Sequence, residues 1–349
     1  MTRIAAVAPV VPDYCYTQAE ITAAVAPMLA SDLSHRAVLE RVHANSRIAT
    51  RYTALPLEQY SHLGSFTRTN EIFIEIATEL TARALTNALD ACGLAPVDVD
   101  YVFFTSVTGI SAPSVDALLI SHLGLRQNVK RIPSYGLGCV AGASGIARVH
   151  DYLIGHPDEV GVVLAVELCS LTLQRTDESM ANYVASGLFG DGAAAVVMVG
   201  DNRAETGPTV VDTRSFVYPN SEGVIGFNVG ETGFEIVLTA EVADVIGRHF
   251  PTSVASFLAD NLLDQSEIDT WFAHPGGPRI LEAFADSLRL SDAALALSYE
   301  SLSRVGNLSS ASVLHVLSSG FDQAPGADAV LFAVGPGVSA EFVLLRWPE

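Results

Sequence analysis

The chain has 349 residues, and a composition of 49% hydrophobic and 17% charged residues is that of an ordered globular protein, which excludes disorder. Acidic residues number 39 against 19 lysines plus arginines, a formal net charge of −20. A field of that sign opposes general binding to nucleic acid or to an anionic membrane surface, while leaving room for a local basic entrance to a phosphorylated substrate.

The opening MTRIAAVAPVVPDY pairs a basic residue with a short apolar run but lacks a cleavage region, so it reads as a first strand. Residues 70–92, NEIFIEIATELTARALTNALDAC, space their apolar side chains at helical intervals, and GLAPVDVD ends that helix before the strand-like YVFFTSV. Further strands are expected at 161–167, 193–199, 210–217, 329–334 and 341–346. Their Val- and Ala-rich runs suit sheets covered by helices, and all are far shorter than the ~20 residues a membrane span needs. PTSVASFLADNLLDQSEID, from residue 251, reads as helix and turn, and TWFAHPGG as a short strand with a glycine-rich exit. Helix, acidic turn, strand and loop thus occur twice, at 75–109 and 251–277, as two related α/β halves would produce. The polar stretch 201–209, DNRAETGPT, divides the chain into an N-terminal half over 1–205 and a C-terminal half over 206–349.

Cys15, Cys92, Cys139 and Cys169 form no C-x-x-C pair, so a reducing, cytoplasmic compartment is expected rather than a disulfide framework. No H-x-x-x-H or close Cys/His/Asp cluster argues for a metal. The stretch SYGLGCVAGASG admits three readings. Gly136-x-Gly138-x-x-Ala141, with Glu167 downstream, formally fits a dinucleotide-binding loop and would make the protein an oxidoreductase. RIPSY, however, is a poor core strand to precede such a loop, and the motif lies far inside the chain. In the second reading Cys139 is a nucleophile at a helix start, where free backbone donors and the helix dipole favour its thiolate. In the third it is a small buried hydrophobe. A nucleophile needs a base and oxyanion donors. His274 emerges where a strand stops and PGGP begins, and Asn307 sits in VGNLSSASVLHVL, where it also fits an ordinary helix cap.

The segments PVDVDYVFFTSVTGISAPSVDALLISHLGL, GLGCVAGASG, LFGDGAAAVVM, WFAHPGGPRIL, VGNLSSASVLHVL and GPGVSAEFVLLR, in that order, resemble the type III polyketide synthases, the chalcone synthase-like branch of the thiolase superfamily. The resemblance implies an α/β duplicated thiolase-like fold with layered αβαβα architecture, a homodimer, and Cys139, His274 and Asn307 as catalytic triad. It implies coenzyme A thioesters as substrates, an acyl-CoA starter and malonyl-CoA or a related extender, with no redox cofactor or metal. Cys139 would carry the acyl chain. His274 and Asn307 would stabilise the enolate formed by decarboxylation, and iterative extension and cyclisation would give a pyrone or phenolic product.

Phe189 matches the family's aromatic gatekeeper, and Gly335, Pro336 and Gly337 its late loop-shaping segment. Thr172 and Ser309 match cavity positions. Four positions depart from the plant-type pattern. Ile236 stands for a second aromatic gatekeeper, Phe227 for a glycine, Val107 for a small polar residue, and Ala112 for a methionine that reaches across the dimer. At the coenzyme A entrance Arg41 matches one phosphate-contacting position, but the neighbouring lysines fall at Val38 and Asn45. Arg47 and Arg51 are then the cations expected to restore charge there, and an acyl-carrier protein is an alternative starter donor. Two other functions are compatible with the residues: a single condensation or acyl transfer in the manner of ketoacyl synthase III, and a noncatalytic acyl-thioester-binding or protein-interaction module.

Overall fold

Successive residues of the central strands point into different cores, and that alternation builds the molecule. The computed structural model describes residues 1–349, the side chain of residue 292 excepted. Its strands are β1 (Thr2–Val10), β2 (Tyr14–Thr17), β3 (Thr50–Thr53), β4 (Tyr101–Thr105), β5 (Lys130–Ser134), β6 (Val160–Leu168), β7 (Asp191–Val199), β8 (Thr209–Val217), β9 (Ile225–Gly230), β10 (Gly233–Leu238), β11 (Thr270–Ala273), β12 (Asp328–Gly335) and β13 (Ser339–Arg346). Nine of them run in the order β11-β12-β13-β8-β1-β7-β6-β4-β5, while β2 pairs with β3 and β9 with β10.

Val102 and Phe104 of β4 and Val162 and Leu164 of β6 pack with Phe73, Ala77 and Leu80 of the helix Phe66–Cys92. Their neighbours Phe103 and Val163 face the other way, into a core shared with Ile146 and Val149 of the helix Ala141–Ile154 and Leu314 and Leu317 of the helix Ser312–Ser319. Leu331 and Val343 close that central core from the opposite sheet half. Val330, Phe332 and Phe342 then point outward, onto Phe250 and Phe257 of the helix Val242–Asp260 and Phe284 of the helix Pro278–Leu288. Helix, sheet, helix pair, sheet and helices give the layered αβαβα architecture.

The duplication extends to single hydrogen bonds. Asp100 precedes β4 and accepts from the N–H of Val160, the first residue of β6, at 2.8 Å. Asp269 precedes β11 and accepts from the N–H of Asp328, the first residue of β12, at 2.9 Å. The acidic turns match as well: Asp98 accepts from Ala95 N–H at 2.8 Å and Glu267 from Asp264 N–H at 2.7 Å.

Two expectations change. The helix read from residue 251 starts at Val242, because Val242, Val245, Ile246 and Phe250 already carry its buried face, and Pro251 lies inside it. The segment RIPSY does form strand, but as the sheet's last member, where exposed residues and Pro133 are tolerated because one edge has no partner.

Candidate active site

Cys139 lies in the 3₁₀ turn Gly138–Val140, which runs straight into the helix Ala141–Ile154. The glycines around it are contacts. A Cβ on Gly138, whose φ is +55°, would lie 2.6 Å from Pro336 Cδ, and one on Gly142 would lie 2.3 Å from the Ser310 carbonyl oxygen. Gly335 is equally tight, its Cβ position being 2.6 Å from the Leu137 carbonyl oxygen. The Cys139 turn is therefore pressed between the Gly335-Pro336-Gly337 loop and the Ser309–Ala311 turn, and the glycines are scaffolding for it. Glu167, the acid of the dinucleotide reading, is fully buried and accepts hydrogen bonds from Val107 N–H at 3.1 Å, Thr108 Oγ1 at 2.9 Å and Ser310 Oγ at 2.5 Å. It is not free for a ribose, and the dinucleotide reading falls.

His274 follows β11, where its N–H donates to the Phe332 carbonyl at 2.9 Å. The ring is 1% exposed, and among the described residues neither Nδ1 nor Nε2 has a hydrogen-bond partner. Burial pushes its pKa down to about 3, so the imidazole is neutral at ordinary pH. Asn307 caps the next turn: its Oδ1 accepts from Ser309 N–H at 2.8 Å and Ser312 Oγ at 3.2 Å, and its Nδ2 donates to Gly276 O at 3.3 Å. The Cys139 thiol lies 3.6 Å from Ser309 Oγ.

Cys139, His274 and Asn307 line one cavity, with Phe189, Ser309 and Pro336. A second, the inner cavity, adjoins it and shares Phe189, Phe227, Ile236 and Ser309 as common wall. A third, the vestibule, adjoins the first at Leu238, Val242, Gly276 and Ile280. The site is thus a series of three chambers with the cysteine in the middle one.

The same residues order the chain into a known family. The model for the N-terminal domain of chalcone and stilbene synthases matches residues 1–202, and that for their C-terminal domain matches residues 209–347. The chain belongs to the chalcone and stilbene synthases, the type III polyketide synthases. It is 47% identical over 352 residues to a 1,3,6,8-tetrahydroxynaphthalene synthase of Streptomyces peucetius subsp. caesius, covering 99% of this chain and 93% of that one. It is 30% identical to a phloroglucinol synthase of Pseudomonas fluorescens, covering 91% and 92% of the two chains. The solved structure of the Streptomyces coelicolor tetrahydroxynaphthalene synthase superposes with a TM-score of 0.93 at 29% identity, over 99% of each chain. The chain has the duplicated thiolase-like fold of these type III synthases, whose chemistry is condensation on coenzyme A thioesters.

Within that frame several expected residues sit elsewhere. Burial pushes the Cys139 thiol up to about 12, against hydrogen bonds with Ser309 and Asn307 that pull it down, while the side chain itself is half-buried where it lines the cavity. Arg51 is not at the entrance: it is 4% exposed, hydrogen-bonded inside the protein, and lines the inner cavity. Arg47 is exposed but engaged, with Glu282 at 2.9 Å and the ring of Tyr299 at 5.7 Å. Arg41 is exposed on the helix Leu33–Ala44, whose Val42 lines the vestibule. Val107 is buried and lines neither inner chamber; the next residue, Thr108, does, because the chain after β4 wraps the Glu167 carboxylate. Ala112, expected at a position that reaches across a dimer, is exposed on the loop before the helix Val115–Leu123, and it lines none of this chain's own three chambers.

Thr172 does line the inner cavity, with its hydroxyl donating to Cys169 O at 2.9 Å. Ser309 holds a φ of +49°, unusual for a residue with a side chain, and that conformation lets it face both inner chambers. Three residues escaped the sequence reading. Cys169 opens the turn CSLT that ends in Thr172, and both line the inner cavity. Thr108 follows the departing position directly. Arg279 lines the vestibule from the first turn of its helix, a place signalled by its following HPGGP.

Proposed function

We propose that this synthase loads an acyl group from coenzyme A onto Cys139 and extends it iteratively by decarboxylative condensation with malonyl-type coenzyme A, releasing a cyclised phenolic product. The observation that carries this reading is His274: a fully buried imidazole with two unpaired ring nitrogens, lining the same cavity as the Cys139 thiol. Buried polar atoms are rarely left without partners, and two unpaired ring nitrogens in the wall of a cavity that also holds a thiol are donors and acceptors a reacting atom can complete.

In loading, the Cys139 sulfur attacks the thioester carbonyl, the bond to the coenzyme A sulfur breaks, and the thiol proton ends on the leaving thiolate. His274 holds that proton in transit, which a neutral ring can do. In extension, the carboxylate of the extender leaves as carbon dioxide, and its electron pair becomes an enolate whose oxygen is held by His274 and the Asn307 amide. The enolate carbon attacks the acyl-Cys139 carbonyl, and the cysteine sulfur leaves. Two fixed donors in a water-poor chamber serve both negative charges. The phenolic outcome follows the 47% identity to the tetrahydroxynaphthalene synthase of Streptomyces peucetius subsp. caesius.

A homodimer fits the exposed edge strand β5, beside which Ile132, Tyr135 and Ile110 are 48%, 51% and 55% exposed. Four free cysteines suit a reducing cytoplasm. Either coenzyme A or a carrier protein would deliver the starter through the vestibule.

The test is incubation with a panel of acyl-coenzyme A starters plus malonyl- and methylmalonyl-coenzyme A, read by intact-protein and product mass spectrometry. The reading requires an acyl adduct that disappears in Cys139→Ala, carbon dioxide release, and products longer than one extension. No adduct and no decarboxylation across the panel would sink it.

A further inference from the structure

Behind the gate residue lies a buried polar brace whose members take no part in the chemistry above. Arg51, on β3, donates from Nε to Gln18 Oε1 at 3.0 Å and from Nη1 to the Phe189 carbonyl at 2.6 Å. Gln18, the first residue of the helix Gln18–Leu29, donates from Nε2 to the Gly187 carbonyl at 2.8 Å and to Ser46 Oγ at 3.1 Å. His43 Nε2 bonds Ser186 Oγ at 3.0 Å alongside them. Three of the four residues from 186 to 189 are therefore gripped from one side by side chains.

The other side of the same segment carries Asn307. Asn307 N–H donates to the Leu188 carbonyl at 2.9 Å, and Gly190 N–H donates to the Asn307 carbonyl at 3.0 Å. Gly306 makes this approach possible: a Cβ there would lie 2.8 Å from the Leu188 carbonyl oxygen and 3.0 Å from Arg51 Cδ. One arginine thus bonds the backbone of the gate through its guanidinium and abuts, through its methylene stem, the glycine that precedes Asn307.

Filling this space does not require an arginine. A buried guanidinium is costly to desolvate, and an apolar side chain of similar volume is usually as good or better for stability alone. Here that cost is offset only by two hydrogen bonds and a through-space attraction to the buried Asp191 carboxylate; Arg51 makes no direct ion pair among the described residues, and its Nη2 has no partner. What the guanidinium supplies, and an apolar side chain cannot, is a rigid fork that fixes two acceptors relative to each other. One of those acceptors belongs to Phe189, which forms part of the wall between the reaction chamber and the inner cavity.

We propose that Arg51, backed by Gln18, is a positioning residue that sets the Phe189 gate and, through the Leu188–Asn307 ladder, the Asn307 donor, so that acyl-chain capacity and decarboxylation depend on the same brace. The proposal rests on the function proposed above. It assigns specificity to a residue that touches neither coenzyme A nor the reacting carbons.

The experiment uses the full chain with Arg51→Met, Arg51→Lys, Gln18→Leu and the double variant Arg51→Met/Gln18→Leu. Three readouts are taken: acyl-Cys139 formation from acyl-coenzyme A substrates of increasing length, product mass distribution, and separate kcat and KM for malonyl-coenzyme A decarboxylation. The expected result for Arg51→Met is a change of about tenfold in the ratio of long to short acyl loading and a fall of about tenfold in decarboxylation kcat, with KM moved less than about twofold. Gln18→Leu shifts both in the same direction by less, Arg51→Lys restores part of each, and the double variant is no worse than Arg51→Met, as members of one brace must be. Thermal melting reports folding, and if Arg51→Met does not accumulate, Arg51→Lys and Gln18→Leu decide. Folded variants with the wild-type length ratio and products would overturn the proposal, as would an equal loss at every chain length. A wild-type protein that forms no acyl-Cys139 at all would instead overturn the proposed function.

Discussion

Phe227 and Ile236 are directly opposed across the hairpin of β9 and β10, and both side chains line the reaction chamber and the inner cavity. The two departures from the plant-type pattern, an aromatic gained where glycine is usual and one lost where an aromatic is usual, are therefore cross-strand partners filling one piece of wall. Cross-strand neighbours sit about 5 Å apart and share the same volume. Phe227→Gly is expected to open the inner cavity and lengthen the product by at least one extension unit, and Ile236→Phe to shorten it. Phe227→Gly combined with Ile236→Phe should return toward the wild-type length. Product mass spectra with a single starter check this, and unchanged lengths in both single variants would show that chain length is set elsewhere.

Asn307 has two jobs on opposite ends of one amide. Its Oδ1 accepts from Ser309 and Ser312 at the start of the next turn, and its Nδ2, the donor proposed for the enolate, bonds Gly276 O at 3.3 Å. Asn307→Asp keeps the capping oxygen and removes the donor. Decarboxylation of malonyl-coenzyme A is expected to fall by about 10² or more, the usual cost of one oxyanion donor, with the melting temperature little changed. Acyl loading at Cys139 should suffer less, since sulfur attack needs no enolate donor. Stopped-flow carbon dioxide release against intact-mass loading separates the two; equal losses in both would assign Asn307 to holding the cysteine.

The layers were legible because β4, β6, β12 and β13 are near-continuous apolar runs, as strands covered on both faces must be, and so was the duplicated helix–turn–strand unit. Cys139, His274 and Asn307 were legible as a resemblance, through glycine-rich segments that survive only where backbones touch. The arginines were not. Arg47 and Arg51 lie four residues apart in one segment, yet one meets Glu282 at the surface and the other is buried under Phe189. A cation's letter says nothing of which side of a short strand it falls on. The thiol shows the same limit: a helix start favours thiolate and burial opposes it, and only the first of these can be read from the residues.

His315 isolates the acid side of stability. Burial pushes it down to about 4, against its hydrogen bond to the Ala193 carbonyl at 3.0 Å, so the folded chain keeps this ring neutral where the unfolded chain protonates it. Its contribution is fully present above the ordinary imidazole value of 6.5 and is lost as pH falls toward 4. His315→Gln can donate to Ala193 without taking up a proton. The stability difference between wild type and variant should be flat above about pH 7 and then close or reverse on acidification, with a slope approaching about 1.4 kcal/mol per pH unit. Urea unfolding of both proteins at several pH values measures it, and parallel curves across that range would refute the assignment.

Gly142 is where the cysteine helix and the asparagine turn touch. Its Cβ position lies 2.3 Å from the Ser310 carbonyl oxygen, 3.1 Å from Val313 Cγ1 and 3.3 Å from Leu314 Cγ. Gly145, one turn on, is as crowded, but its nearest neighbour is a side-chain atom, Val163 Cγ1 at 2.6 Å. A methyl group at either position overpacks the core, and each alanine variant is expected to lose about 1–3 kcal/mol. Their effects on chemistry should differ. Gly142→Ala pushes against backbone, so it separates the Cys139 turn from Ser309 and lowers acyl loading per folded molecule, whereas Gly145→Ala is absorbed by a valine rotamer and leaves loading near wild type. Loading rates normalised to folded fraction make the comparison. If the two variants lose loading equally, the helix-to-turn contact at Gly142 does not position the cysteine, and the glycines of that helix serve stability alone.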